Sequence, residues 1–96
     1  MMRAYETMLV LKADLEEETR DALIAKYEGI VAKEGGTVQQ STKYGKRKLA
    51  YEINKNREGF YVLLNFEANN TTPAELERLM KIDDNVLRYL TVVKEQ

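Results

Sequence analysis

Lys43, Lys46, Arg47, Lys48, Lys55 and Arg57 fall within one stretch, residues 43–57, and only Glu52 opposes them. Ammonium and guanidinium groups at this density suit one kind of chemistry. They displace condensed counterions from a phosphate backbone, which makes the stretch a candidate phosphate-contacting surface. The competing account is a solvated strand edge, on which lysine discourages pairing with another chain. Tyr44 and Tyr51 lie in the same run and offer rings for stacking on bases. Tyr51, however, shares its strand face with Leu49 and Ile53 and is expected in the core. The positive charge is local. The 96-residue chain has 15 Lys and Arg against 16 Asp and Glu, a formal net charge of -1. Residues 14–34 hold seven acids against Arg20, Lys26 and Lys33. This asymmetry informs about partners more than the average does.

Catalytic chemistry has little to work with. Cysteine and histidine are both absent, which removes disulfides, thiolates, the usual zinc ligands and the commonest general base. Neither an enzyme nor a metal or cofactor site is expected. A hydrophobic fraction of 44% is enough for a packed core, and the length fits a single domain over residues 1–96. Nothing approaches the apolar run needed to span a membrane. The N-terminus lacks a secretory pattern, since Arg3 is followed by Ala4-Tyr5-Glu6 and the apolar run Met8 to Leu11 is short. A cytoplasmic location is the expectation.

The elements that must position the basic run follow from periodicity. Residues 4–11 alternate as a strand, with Tyr5, Thr7, Leu9 and Leu11 on one face and Glu6, Met8 and Val10 on the other. A helix follows, with Asp14 and Glu17 as a capping-box variant, an apolar stripe of Leu23, Ile24, Tyr27, Ile30 and Val31, and Gly35-Gly36 as its stop. A long strand from Thr37, broken near Gly45, leads through a turn in NKNREG that Gly59 closes. Residues 60–67 form the next strand, with Phe60, Val62, Leu64 and Phe66 facing the core. Thr72, Pro73 and Glu75 announce a second helix with a Leu76, Leu79 and Met80 stripe, which Asp83-Asp84-Asn85 ends. VLRYLTVVK is the last strand. The order βαββαβ predicts an α+β, ferredoxin-like split βαβ fold, a four-stranded antiparallel sheet with two helices on one face. The uncovered face carries Met8, Val10, Tyr61 and Leu63, more apolar surface than a solvated face requires. It is a candidate docking patch for a protein partner.

Two other families with this order fit poorly. An RNA-recognition motif needs exposed aromatics in a [KR]-G-[FY]-[GA]-F-V-x-[FY] pattern, whereas the third strand here reads REGFYVLLNF, and Glu6 and Glu67 would repel phosphate. An acylphosphatase needs a phosphate cradle after the first strand, where LKADLE stands instead.

The run YGKRKLAYEINK followed by GFY, with MRAYETMLVL at the start and IDDNVLRYLTVVK at the end, resembles the bacterial small-subunit ribosomal protein six family over essentially the whole chain. The resemblance implies the same fold and no enzymatic activity. It implies binding to the central domain of small-subunit (16S) ribosomal RNA as a heterodimer with small-subunit ribosomal protein eighteen. The RNA-facing positions it implies are Arg3, Tyr5, Lys46, Arg47, Lys48, Lys55 and Arg88. Many relatives carry Pro where Glu52 stands, so the strand edge is expected to keep an N–H here. The chain ends at Gln96, so contacts made by the longer tail of some relatives are expected to be missing. A protein-only interaction or regulatory module, docking through the open sheet face, is the alternative.

Overall fold

The computed structural model describes residues 2–94, so the tail expectation at Gln96 lies outside the described residues. Strand β1 (Arg3–Lys12) leads to helix α1 (Glu17–Lys33), then strands β2 (Thr37–Ile53) and β3 (Asn56–Ala68), helix α2 (Thr72–Lys81) and strand β4 (Val86–Val93). The four strands form one sheet in the order β2-β3-β1-β4, antiparallel throughout. This is the βαββαβ arrangement expected from the sequence.

Alternation decides which face is buried. Paired residues of antiparallel strands share a face, so Phe66–Tyr5, Leu64–Thr7, Val62–Leu9 and Phe60–Leu11 stack as four rows on the helix side. All eight are buried. Leu23, Ile24, Tyr27 and Val31 of α1 and Leu76 and Met80 of α2 close over them in a single cluster. In the sheet interior, Thr7 and Thr91 satisfy each other through a hydroxyl–hydroxyl bond of 2.7 Å.

The helix ends differ in detail from the sequence expectation. Residues 13–15 form a turn after β1, which moves the N-cap of α1 from Asp14 to Glu16, without a side-chain cap bond. At the other end Gly35 takes φ 86° and the Gly36 N–H returns to the Val31 carbonyl, so the double glycine stops the helix as anticipated. In α2 the N-cap is Thr71 and Thr72 is the first helical residue, because the Thr72 N–H already turns back to the Asn69 carbonyl.

The β2–β3 hairpin outruns the rest of the sheet. β1 stops pairing with β3 at Lys12–Gly59, while β2 and β3 continue to Ile53–Asn56. Its turn is tighter than the expected one. Asn54 and Lys55 adopt φ 49° and 66°, a two-residue reversal whose twist suits a hairpin. Asn56 Nδ2 donates to the carbonyls of Ile53 and Asn54 and holds it. Gly59 has a different task. A Cβ there would overlap Val10 Cγ1 and stand 3.3 Å from Leu49 Cδ2, so its missing side chain lets those two residues meet over the backbone.

Candidate functional site

The basic run lies on β2, an edge strand, and on the hairpin that extends past the sheet. Two of its six cations are occupied. Lys43 Nζ donates to Asp21 Oδ1 of α1 at 2.7 Å, and Arg57 stands 3.9 Å from Glu52. The Lys43 hydrogen bond holds the Asp21 carboxyl below its usual range. Among the described residues, Lys46, Arg47, Lys48 and Lys55 make no ion pair, and all four are exposed. They are the four positions of this run that the family resemblance implies as RNA-facing.

Strand geometry divides those four. Lys46 pairs with Phe60 and Lys48 with Glu58, which turns both toward the helix side of the edge. Arg47 pairs with Gly59 and faces the open side. Lys55 sits in the turn at the hairpin tip. The result is a cationic rim around one corner of the sheet.

Next to this rim the open face forms a shallow apolar groove. One part, of about 290 Å³, is bounded by Met8, Tyr44, Arg47 and Tyr61. A second part, of about 250 Å³, shares Met8 and Tyr61 and reaches Arg88 and Leu90 on β4. Arg47 and Arg88 therefore flank the groove from opposite edges, about 14 Å apart at ordinary strand spacing. Met8, Tyr61 and Leu63 are half-buried on this face. Val10 is on the predicted face but only 4% exposed, because Leu49 packs beside it over Gly59. It supports the groove from beneath and presents little surface of its own.

Three further positions change the picture drawn from sequence. Tyr5 is 4% exposed and stacks on Phe66 with ring centroids 5.6 Å apart. Its ring faces the core and has no free face for a base. Tyr51, expected in the core, is 60% exposed. It shares a face with Arg47 and Leu49, but that face is the open one, and Tyr51 lies on the hairpin arm past Lys12–Gly59, where β1 no longer pairs. The Tyr51 ring instead lies 5.5 Å from the Arg88 guanidinium. Arg3 is exposed but occupies the other end of β1, about 30 Å from Lys12 by strand rise. It borders a separate concavity with Gln39, Glu67 and Lys94. The structure thus gathers Lys46, Arg47, Lys48, Lys55 and Arg88 at one end and leaves Arg3 apart. Sequence reading missed Leu90, and it named Tyr44 only as a ring for stacking on bases, not as part of the groove. Leu90 follows Arg88 by two residues and so shares its face, a signal that was available. Tyr44 is the extra residue of the bulge between Lys43 and Gly45, which no periodicity marks.

Among the described residues no group of three His, Cys, Asp or Glu side chains is placed to hold a metal ion, and no helix is long and apolar enough to cross a membrane.

Residues 4–93 match the family described as Ribosomal protein S6. The chain belongs to the ribosomal protein S6 family. Relatives include the small ribosomal subunit protein bS6 of Clostridium novyi, 48% identical over 99% of this chain and all of that protein. That of Clostridium beijerinckii is 50% identical over 99% of each chain. The crystal structure of 30S ribosomal protein S6 from Thermotoga maritima superposes with a TM-score of 0.91 at 28% identity, covering 98% of this chain and 89% of that one. Membership in the S6 family makes the protein a non-enzymatic structural constituent of the small ribosomal subunit, in the cytoplasm.

Proposed function

We propose that the protein binds the central domain of small-subunit ribosomal RNA in a heterodimer with small-subunit ribosomal protein eighteen. The cationic rim of Lys46, Arg47, Lys48, Lys55 and Arg88 lies on RNA phosphates, with Arg3 as a separate contact at the far end of the sheet. The apolar groove around Met8, Tyr61 and Leu63 receives the partner protein. The observation that carries this reading is the division of labour within the basic run: Lys43 and Arg57 have acidic partners, while the four exposed cations beside the groove have none among the described residues. Unpaired surface cations retain their full counterion-release contribution to phosphate binding. A chain with net charge -1 gains little from long-range attraction to RNA, so the partner supplies further positive surface. Phosphate contacts set position, and the combined shape of the heterodimer sets selectivity.

The test is binding to a central-domain RNA fragment with and without protein eighteen at two salt concentrations. Tight, salt-sensitive binding is expected only with both proteins present. Replacing Lys46, Arg47 and Lys48 together by Ala should weaken binding and flatten the salt slope by about one per lost phosphate contact, with the fold intact. The apolar groove favours one other reading, a protein-only interaction module. Its mark would be partner affinity that is nearly indifferent to salt and to the triple substitution.

A further inference from the structure

We propose that Tyr51 is a positioning residue, holding the Arg88 guanidinium in place at the edge of the groove without neutralising it. The inference rests on the RNA-binding reading above and deepens it by giving a role to a ring outside the basic set.

The ring does not serve the core. At 60% exposure, Tyr51 is among the most solvent-exposed large apolar side chains in the structure. It is nonetheless carried to a specific place. Between Lys48–Glu58 and Ile53–Asn56, β2 spends four residues against one on β3. Leu49 leaves the ladder and anchors over Gly59 beside Val10, and two residues later Tyr51 reaches Arg88. β2 and β4 are the two edges of the sheet and share no ladder. The Tyr51–Arg88 contact, 5.5 Å from guanidinium carbon to ring centroid, joins them across the open face.

Chemistry explains why a ring serves here better than a carboxylate. An exposed arginine samples many rotamers, and ordering it at a phosphate costs entropy. A carboxylate partner would order it but occupy its N–H donors and cancel its charge. A ring face attracts the guanidinium through its quadrupole and leaves the N–H edge free for bidentate contact with phosphate. Arg88 makes no ion pair among the described residues. It therefore has the arrangement of a pre-ordered, undischarged cation.

The experiment compares Y51L, Y51F, R88A and the double variant R88A/Y51L, each with protein eighteen on the central-domain RNA fragment across a salt series. R88A should weaken binding and lower the salt slope by about one. Y51L should weaken it about two- to fivefold, the worth of an exposed cation–π contact, with the slope retained. Y51F should restore it, and the double variant should be no weaker than R88A. In the free protein, the ring should shift the Arg88 side-chain proton resonances upfield, an effect present in Y51F and absent in Y51L. Additive losses in the double variant would mean that Tyr51 contacts RNA itself, and a Y51F as weak as Y51L would mean that its hydroxyl does. Either overturns the proposal, as does an absent ring-current shift. R88A without effect removes Arg88 and Tyr51 together from RNA binding, whereas the Lys46-Arg47-Lys48 variant judges the wider reading separately.

Discussion

The same four strands make two unlike surfaces. On the helix side Leu9, Val62, Leu64 and Phe66 are fully buried, while one residue along each strand Met8, Tyr61 and Leu63 keep part of their surface. The rows are equally regular near the middle of the sheet, so geometry does not separate them. What separates them is cover. On one face two helices complete the packing within the chain; on the other, part of the apolar surface stays uncovered. The helix side should therefore govern stability and the open side association.

The sharpest way to break that contrast is a matched pair of truncations. Leu9→Ala should cost about 2–5 kcal/mol in a denaturant melt, because it leaves a cavity in a sealed core. Leu63→Ala, on the open face, should cost well under half as much and show its effect on partner binding. Comparable losses would mean that the open face is also structural. Next in size, Gly59→Ala should cost about 1–3 kcal/mol, since its Cβ collides with Val10 and displaces Leu49. This is the one place where the open face is expected to behave like a core.

A fourth variant probes the helix side away from the sheet. Tyr27 is wholly buried, and its Oη donates to Asp83 Oδ2 at 2.9 Å. Tyr27→Phe should cost about 1 kcal/mol. Burial, and then the hydrogen bond to Asp83, raise the phenol well above its ordinary value of 10.0. The stabilisation is thus complete below pH 10 and declines as pH rises from there toward the folded value, because only the unfolded chain releases the proton. Melts between pH 9 and 11 should show the wild type losing stability across this window faster than Tyr27→Phe. The smallest effect belongs to Asp21→Asn, which removes the exposed Lys43 pair. Its melt should barely move at physiological salt, while a freed Lys43 should slightly strengthen RNA binding.

Where the sequence was readable follows the same division. Regular periods of two and of 3.6 exposed the element order, both helix stripes and all eight core-facing residues of β1 and β3. The hairpin arm was not readable in this way. Gly59 resembles a turn glycine, yet the turn is made by Asn54 and Lys55 with a brace from Asn56, and Gly59 serves a close approach instead. Tyr51 was misplaced because the face it shares with Leu49 is the open one, and the paired sheet beside it ends at Lys12–Gly59. Tyr5 shows a different limit. The family resemblance put it at the RNA and its strand parity put it in the core; the structure follows parity. The basic run was legible as a charge run, but which of its cations lack an ion pair among the described residues, and their division between two sides of an edge, needed the structure.

The hydroxyl pair of Thr7 and Thr91 joins residues 84 apart in sequence. β1 is made first, yet it lies inside the sheet and pairs with β3 and β4, both synthesised later. Contacts so distant along the chain form slowly, because loop closure precedes their reward. A nascent chain halted before Val86 would hold β1 with one side unpaired, displaying the backbone that β4 later covers. Until the eight-residue strand β4 pairs, β1 is itself an edge, with the row of unpaired N–H and C=O groups that edges present.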